Sequence, residues 1–538
     1  MSRRGRAALL AVGPLVLLAV LFVWPLTLVL VRGLGVDASP LAPVRDVLLD
    51  PYLRGVAGFT LRQAVLSTVL TLIVGLPVAT VLSRLDFRGR RTIEAATLVP
   101  FVLPTVVVGT AFVALLGRLS PVVDLRRTTA AILLAHVFFN VSVVVRTVGG
   151  LWRHLDDAPV LAARTLGATP LRAFLHVTLP RLRPAIAAAA TVVFLFTFTS
   201  FGVVLIVGGP GRSTIEVEIH RATAQLLDLR TAAALSVLQL AAVVATLVTY
   251  DRTRRRQAAR PLARAALAVR PLAGARDRTA VAGVVLLLAV VQGLPLLALL
   301  ERSLRVGDGW GFDHYRTLGA PTREAVLSVA PALAIRNSLT IAAVATLIAM
   351  VVGTLAALAA VEDGRWGRVM DGALMLPLGT SAVTLGLGLL LAFRSGPFAG
   401  RGALLLVPLA QALVAIPFVV RTMLPVLRGI DDRLREAAAT LGATPRRVRQ
   451  EIDLPIVSRA GLVAAGFAFA ITVGEFGATI FVARATNPTV PVAIHRALGL
   501  PGEVNLGRAM ALSVLLALIT GLVVTLADRV RVGAVGRF

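Results

Sequence analysis

Long apolar runs separated by clusters of arginine set the pattern of this chain. The first run, residues 7–31, follows Arg3, Arg4 and Arg6 and exceeds the about 20 apolar residues that cross a bilayer. A signal peptide is the other reading of such a start. The length of the run, with no small-residue cleavage site after it, predicts a first transmembrane helix that begins inside the cell. Further spans are predicted at roughly 61–83, 95–116, 129–149, 184–207 and 231–250, then 280–300, 336–360, 370–393, 402–425, 459–483 and 507–527. That makes twelve, six in each half of an all-α polytopic membrane protein.

Composition agrees with this pattern. With 57% hydrophobic and 15% charged residues and a mean hydropathy of +0.85, the 538-residue chain cannot be an ordinary soluble protein. All 55 basic residues are arginine, and the net charge is +27. Such an excess could suggest nucleic acid, but here the charges punctuate apolar runs, so the predicted partner is the lipid bilayer. The chain has no cysteine, which excludes disulfides and thiolate metal sites.

Arginine placement also predicts orientation. The loop with Arg84, Arg88, Arg90 and Arg91, the loops at 156–180 and 431–455, the stretch 252–278 and the tail with Arg529, Arg531 and Arg537 fall on one side, which is therefore cytoplasmic, as are both termini. The loop with Arg118, Arg126 and Arg127 falls on the other side and contradicts the rule.

A twenty-residue stretch occurs twice: LAARTLGATPLRAFLHVTLP at 161–180 and EAAATLGATPRRVRQEIDLP at 436–455, identical at eleven positions. Each copy reads as two short helices meeting at a glycine corner. Asp156 and Asp157, or Asp431 and Asp432, stand where a cap accepts orphan N–H groups. Gly167 and Gly442 supply a residue that tolerates positive φ. Thr169-Pro170 and Thr444-Pro445 restart a helix, and Leu179-Pro180 and Leu454-Pro455 are expected to stop it. The same offset of 275 takes Arg146 to Arg421, Phe201-Gly202 to Phe476-Gly477 and His220-Arg221-Ala222 to His495-Arg496-Ala497. With an even number of spans per copy, both copies face the same way and should pack about a pseudo-two-fold axis along the membrane normal. The expected division is a first repeat at 1–250, a cytoplasmic linker at 251–279 and a second repeat at 280–538.

The pattern Glu-Ala-Ala, three residues, Gly, nine residues, an aliphatic residue, one residue and Leu-Pro resembles the EAA loop of permease subunits of ATP-binding-cassette importers. Glu436, Ala437, Ala438, Gly442, Ile452, Leu454 and Pro455 match it; the first copy matches at Ala162, Ala163, Gly167, Val177, Leu179 and Pro180, with Leu161 in place of Glu. The resemblance implies the type I permease fold and a coupling helix in each corner, seated in a groove of a separate ATPase, with two ATPase copies serving two corners. It also implies an extracytoplasmic binding protein and a place in the cell membrane. The chain has no Lys for a Walker A loop, so ATP hydrolysis belongs to another subunit. The fused architecture, with GGPGRSTIEVEIHRA at 208–222, looks most like the thiamine permease branch; the ferric-iron permeases share the architecture.

Glu475 lies inside an apolar run, and an ionisable group there is a functional candidate because burying it is costly. Ser200 occupies the equivalent place in the first half, and Arg146 and Arg421 are possible partners. A cationic substrate or a gate contact would explain Glu475; so would a structural bond to an arginine or to backbone. His220 and His495 lack accompanying ligands at metal spacing, so neither a metal nor another cofactor is expected. A different class, a transporter driven by an ion gradient, also uses 6+6 parallel repeats but gives no reason for two glycine corners. A membrane scaffold or receptor would carry no solute at all.

Overall fold

Apolar runs long enough to span lipid must satisfy their backbone internally, and the chain does so with helices. The computed structural model describes residues 3–35, 41–209, 211–257, 269–319, 330–361, 365–378, 380–393, 403–484 and 486–535. Part of the expected linker, 258–268, and Arg537 therefore lie outside the described residues. Among those described, ten helices are long and apolar enough to cross a membrane, from Ala8–Leu34 to Glu503–Ala527.

The count differs from twelve at two related places. The predicted span 95–116 is a bent pair, Arg90–Val102 and Thr105–Leu119, meeting at 101°. Pro104 cannot donate to a continuing helix and disfavours helical backbone at Leu103, which is extended at φ −63° and ψ 138°. At an offset of 275, the predicted span 370–393 is likewise two helices, Arg365–Leu378 and the shorter Ala382–Ala392. The predicted spans 184–207 and 459–483 also stop early, at Phe198 and Gly474, and resume as the short helices Gly202–Val207 and Thr479–Val482.

Leu179-Pro180 and Leu454-Pro455 do not stop their helices, contrary to expectation. Each follows one wide π turn, Phe174–Thr178 or Arg449–Asp453, in which the leucine N–H reaches five residues back to the carbonyl of Phe174 or Arg449. The carbonyl four residues before each proline, on His176 or Glu451, lies within the widened turn, so the ring enters without breaking the rod. Trp24-Pro25 and Leu294-Pro295 follow the same rule after the turns Ala19–Val23 and Ala289–Gly293. Both corners thus run without interruption into their spans, Pro170–Phe198 and Pro445–Gly474.

The first helix of each half packs on the other half as well as on its own. Arg3–Leu18 packs on Pro331–Val361, and Trp24–Leu34 on Ala382–Ala392; Leu294–Leu304 packs on Thr105–Leu119, and Ala275–Leu288 on Pro51–Arg84. Gln292 Nε2 donates to the carbonyl of Phe138 at 3.3 Å in the same sense. One buried core joins Val106, Phe201 and Ile219 to Leu387, Phe476 and Ile494. At Gly474 a β-carbon would lie 2.6 Å from Cγ of Pro104, so glycine is required for this approach between halves.

Candidate functional site

The corners are built alike. Gly167 and Gly442 have φ of 87° and 81°. Their N–H groups donate to Arg164 and Ala439, and those of Ala168 and Ala443 to Ala163 and Ala438, all at 3.0 Å, which closes the helix end in the Schellman manner. Thr169 and Thr444 cap the next helix, accepting from the N–H of Arg172 at 3.3 Å and Arg447 at 3.4 Å. Asp431 caps the second corner through the N–H of Arg433 at 3.0 Å. In the first corner Asp156 accepts from the N–H of Ala158 at 2.9 Å, while Asp157 is drawn away to Arg84 at 2.5 Å. Ala162, Glu436 and Ala437 are exposed; Ala163, Ala438, Leu179 and Pro180 are half-buried; Leu454 and Pro455 are exposed. Leu166 and Leu441, at the bends, are both 88% exposed, a large apolar projection for a helix that leaves the membrane.

Both corners lie at one end of the bundle. Arg84, tied to Asp157, ends the helix Pro51–Arg84. Leu85–Asp86 then pairs with Arg270–Pro271, which returns the chain to that end before Ala275–Leu304. The helix Pro331–Val361 comes back beside the second corner, where Arg428 donates to the carbonyl of Ala360 at 3.1 Å.

At the opposite end, Tyr52 OH donates to Glu218 at 2.9 Å and Arg221 donates to Tyr52 OH at 2.8 Å, which fixes the helix Ile215–Ala224 there. The loop that violates the arginine rule is also at this end. Arg118 pairs with Glu301 at 2.6 Å, and Arg126 grips both oxygens of Asp124 at 3.0 Å and holds its carboxyl below the usual carboxylate range. Two of its three positive charges are therefore matched locally.

Between the halves, residues 275 apart meet each other. The rings of Phe201 and Phe476 stack at 5.4 Å, and His220 and His495 lie edge to face at 6.5 Å. His220 also packs against Phe201 and Phe481, each at 5.5 Å, and Phe476 against His495 at 5.6 Å. Contact between a residue and its own repeat partner is what a pseudo-two-fold axis requires. Nδ1 of His220 is buried with no hydrogen-bond partner among the described residues. No group of three His or carboxylates that could hold a metal forms among those residues.

Ser200 and Glu475 sit one residue before this stack, at the breaks that end the two spans. Nε2 of His136 lies 2.8 Å from Oγ of Ser200, and its Nδ1 lies 2.9 Å from Oγ of Ser67, a buried chain that ties two helices to the break. At the offset of 275, His136 becomes Gln411, which donates to Thr479 at 3.2 Å. Glu475 accepts from the N–H groups of Ala478 at 2.8 Å and Thr479 at 2.9 Å, and from the hydroxyl of Thr479. Backbone and hydroxyl donors thus meet this carboxylate, whereas Arg146 and Arg421 occupy exposed positions on their helices. Of the bonds weighed for Glu475 from sequence, the backbone bond is present.

Two buried carboxylates escaped the sequence reading, Glu218, which accepts from Tyr52, and Glu216. Glu216 is fully buried on Ile215–Ala224 and accepts from Nε2 of Gln239 at 2.5 Å. A signal existed: Glu216, His220 and Thr223 recur at i, i+4 and i+7, a polar stripe on a helix whose other residues are mostly apolar.

Residues 67–256 match the family described as binding-protein-dependent transport system inner membrane component. The chain is 27% identical over 471 residues to the thiamine transport system permease protein ThiP of Brucella abortus (strain 2308), across 84% of this chain and 83% of that protein. To ThiP of Escherichia coli (strain K12) it is 26% identical over 472 residues, 84% of each. To the molybdenum transport system permease protein ModB of Azotobacter vinelandii it is 35% identical over 159 residues, 28% of this chain and 70% of that protein.

Proposed function

The chain belongs to the binding-protein-dependent transport system inner membrane components, the permease subunits of ATP-binding-cassette importers, and from that premise we propose that it carries thiamine along the axis between its two halves. The halves are 1–250 and 280–538, joined by the linker 251–279. The corner end faces the cytoplasm with both termini, and each corner seats in one of two ATPase copies. The far end receives solute from an extracytoplasmic binding protein.

The observation that carries this reading is the unbroken rod from each corner to the axis. The span Pro170–Phe198 has 29 residues and is therefore about 44 Å long. One end carries the bend at Gly167, and just beyond the other stands Phe201, stacked on Phe476. Force from an ATPase on the corner tilts the rod, since the π turn leaves no slack joint within it, and the movement reaches Phe201 across the short break at 199–201. The stack of the Phe201 and Phe476 rings stands between the two halves on this path. Parting it exposes aromatic faces and the free Nδ1 of His220, surfaces that suit a flat organic cation.

The thiamine assignment rests on the two relatives matched over 83% and 84% of their length and on this lining. Glu216 and Glu475 already receive donors from Gln239, Thr479 and backbone, which favours an organic cation over bare Fe(III). The test is uptake of labelled thiamine into proteoliposomes holding this chain, its ATPase and its binding protein. Uptake that needs ATP and both partners is expected; accumulation by the chain alone on an ion gradient would overturn the reading.

A further inference from the structure

The two corners share a backbone but not a surface. In the first, Leu161, Leu166 and Leu171 stand five residues apart on either side of the glycine bend and are 60%, 88% and 65% exposed. In the second, the same positions hold Glu436, Leu441 and Arg446, all exposed. The surroundings follow suit. Residues 156–180 contain two acids and two arginines, whereas residues 431–455 contain five of each. Both stretches are thus neutral overall, and the first meets its surroundings with leucine where the second does so with charge.

Resting on the docking of both corners to ATPase copies, we propose that the two seats are held by different forces. The leucine at each bend, Leu166 or Leu441, fits one apolar hole repeated in two copies of one ATPase. The first corner adds Leu161 and Leu171, whose burial is insensitive to salt. The second adds Glu436 and Arg446, whose pairing across an exposed interface weakens as the screening length falls from about 10 Å at 0.1 M salt to about 3 Å at 1 M. High salt therefore frees the second corner while the first stays seated, and the ATPase pair is held through one half of the permease.

The chain has no cysteine, so a single introduced thiol reports on one corner alone. Thr165 and Thr440 are equivalent and exposed, and among the described residues each hydroxyl bonds the carbonyl three residues back. Thr165→Cys and Thr440→Cys, each in the full chain in lipid nanodiscs, are labelled with a maleimide with and without ATPase, at 0.1 M and 1 M KCl. Protection of both thiols by ATPase is expected at 0.1 M. At 1 M the thiol at 440 should label about tenfold faster while that at 165 stays protected, the size expected when a few exposed ion pairs are screened. In the Thr440→Cys chain, Glu436→Leu with Arg446→Leu should restore protection at 1 M. Equal salt response of the two thiols overturns the inference while leaving docking intact. Protection at neither corner at 0.1 M overturns docking and the inference together. Protection at 165 without ATPase overturns the inference, since the leucines would then lie in the bilayer or against a second copy of this chain.

Discussion

The glycine bends give the sharpest test of the mechanical reading. Gly167 and Gly442 have φ near +85°, and a β-carbon at either meets no atom within 4 Å. Alanine there creates no clash with the rest of the protein, so its whole effect is the backbone cost of left-handed geometry, about 1–2 kcal/mol. Since tenfold in an equilibrium constant corresponds to about 1.4 kcal/mol, each Gly→Ala should lower the ratio of bent to straightened corner about 5–30-fold. Corners this far apart should act independently, so the double variant loses about 2–4 kcal/mol. Asn, which visits left-handed geometry at less cost, should retain more function than Ala, and Val, stiff at its β-carbon, should retain least. The assay is thiamine uptake and solute-stimulated ATP hydrolysis in proteoliposomes, with thermal unfolding of the permease in detergent as the control for assembly. Uptake should fall in the order Gly, Asn, Ala, Val while the unfolding midpoint barely moves. Equal uptake by Asn and Val variants at both corners would refute the argument.

Other perturbations test the axis. Glu475→Gln removes charge-assisted acceptance from Ala478 and Thr479, worth about 1.5–3 kcal/mol for a bond to a charged group; uptake should drop with membrane assembly intact, and unchanged uptake would make the carboxylate dispensable. Phe201→Ala and Phe476→Ala in a double-mutant cycle should show a coupling of about 0.5–1.5 kcal/mol in thermal stability, and strict additivity would mean that the rings do not stack in the protein. Gly474→Ala should destabilise by about 1–3 kcal/mol through overpacking against Pro104, and Pro104→Ala in the same chain should recover part of it; no recovery would place the strain elsewhere.

Spans and corners were legible because they rest on local rules. Some twenty apolar residues spell one crossing, and a glycine after a run of helix formers spells a bend. Where the reading failed, a local rule met a nonlocal demand. The Leu-Pro steps at 179–180 and 454–455 look like stops, yet a wide turn one step earlier displaces the offending carbonyl, and lipid favours that solution because a broken helix would leave polar groups bare. The kink at Pro104 was hidden by the hydropathy of 95–116, which stays high across the bend. Glu216 was marked only by its place in a polar stripe, because its partner, Gln239, arrives on another helix. Glu475 was correctly marked as out of place, but only the folded chain reveals that its oxygens close the start of Thr479–Val482.

The exchange of first helices between the halves has a consequence for biogenesis. The helix ending at Leu34 rests in part on residues from Pro331 onward, so 297 residues of chain separate it from the start of that part of its binding surface. At about 5–20 residues per second, the ribosome needs about 15–60 s to deliver that surface. Until then the newborn helix can pack only its later part, Trp24–Leu34, against Leu229–Gln257 of its own half, and the first half cannot reach its final packing before the second is made.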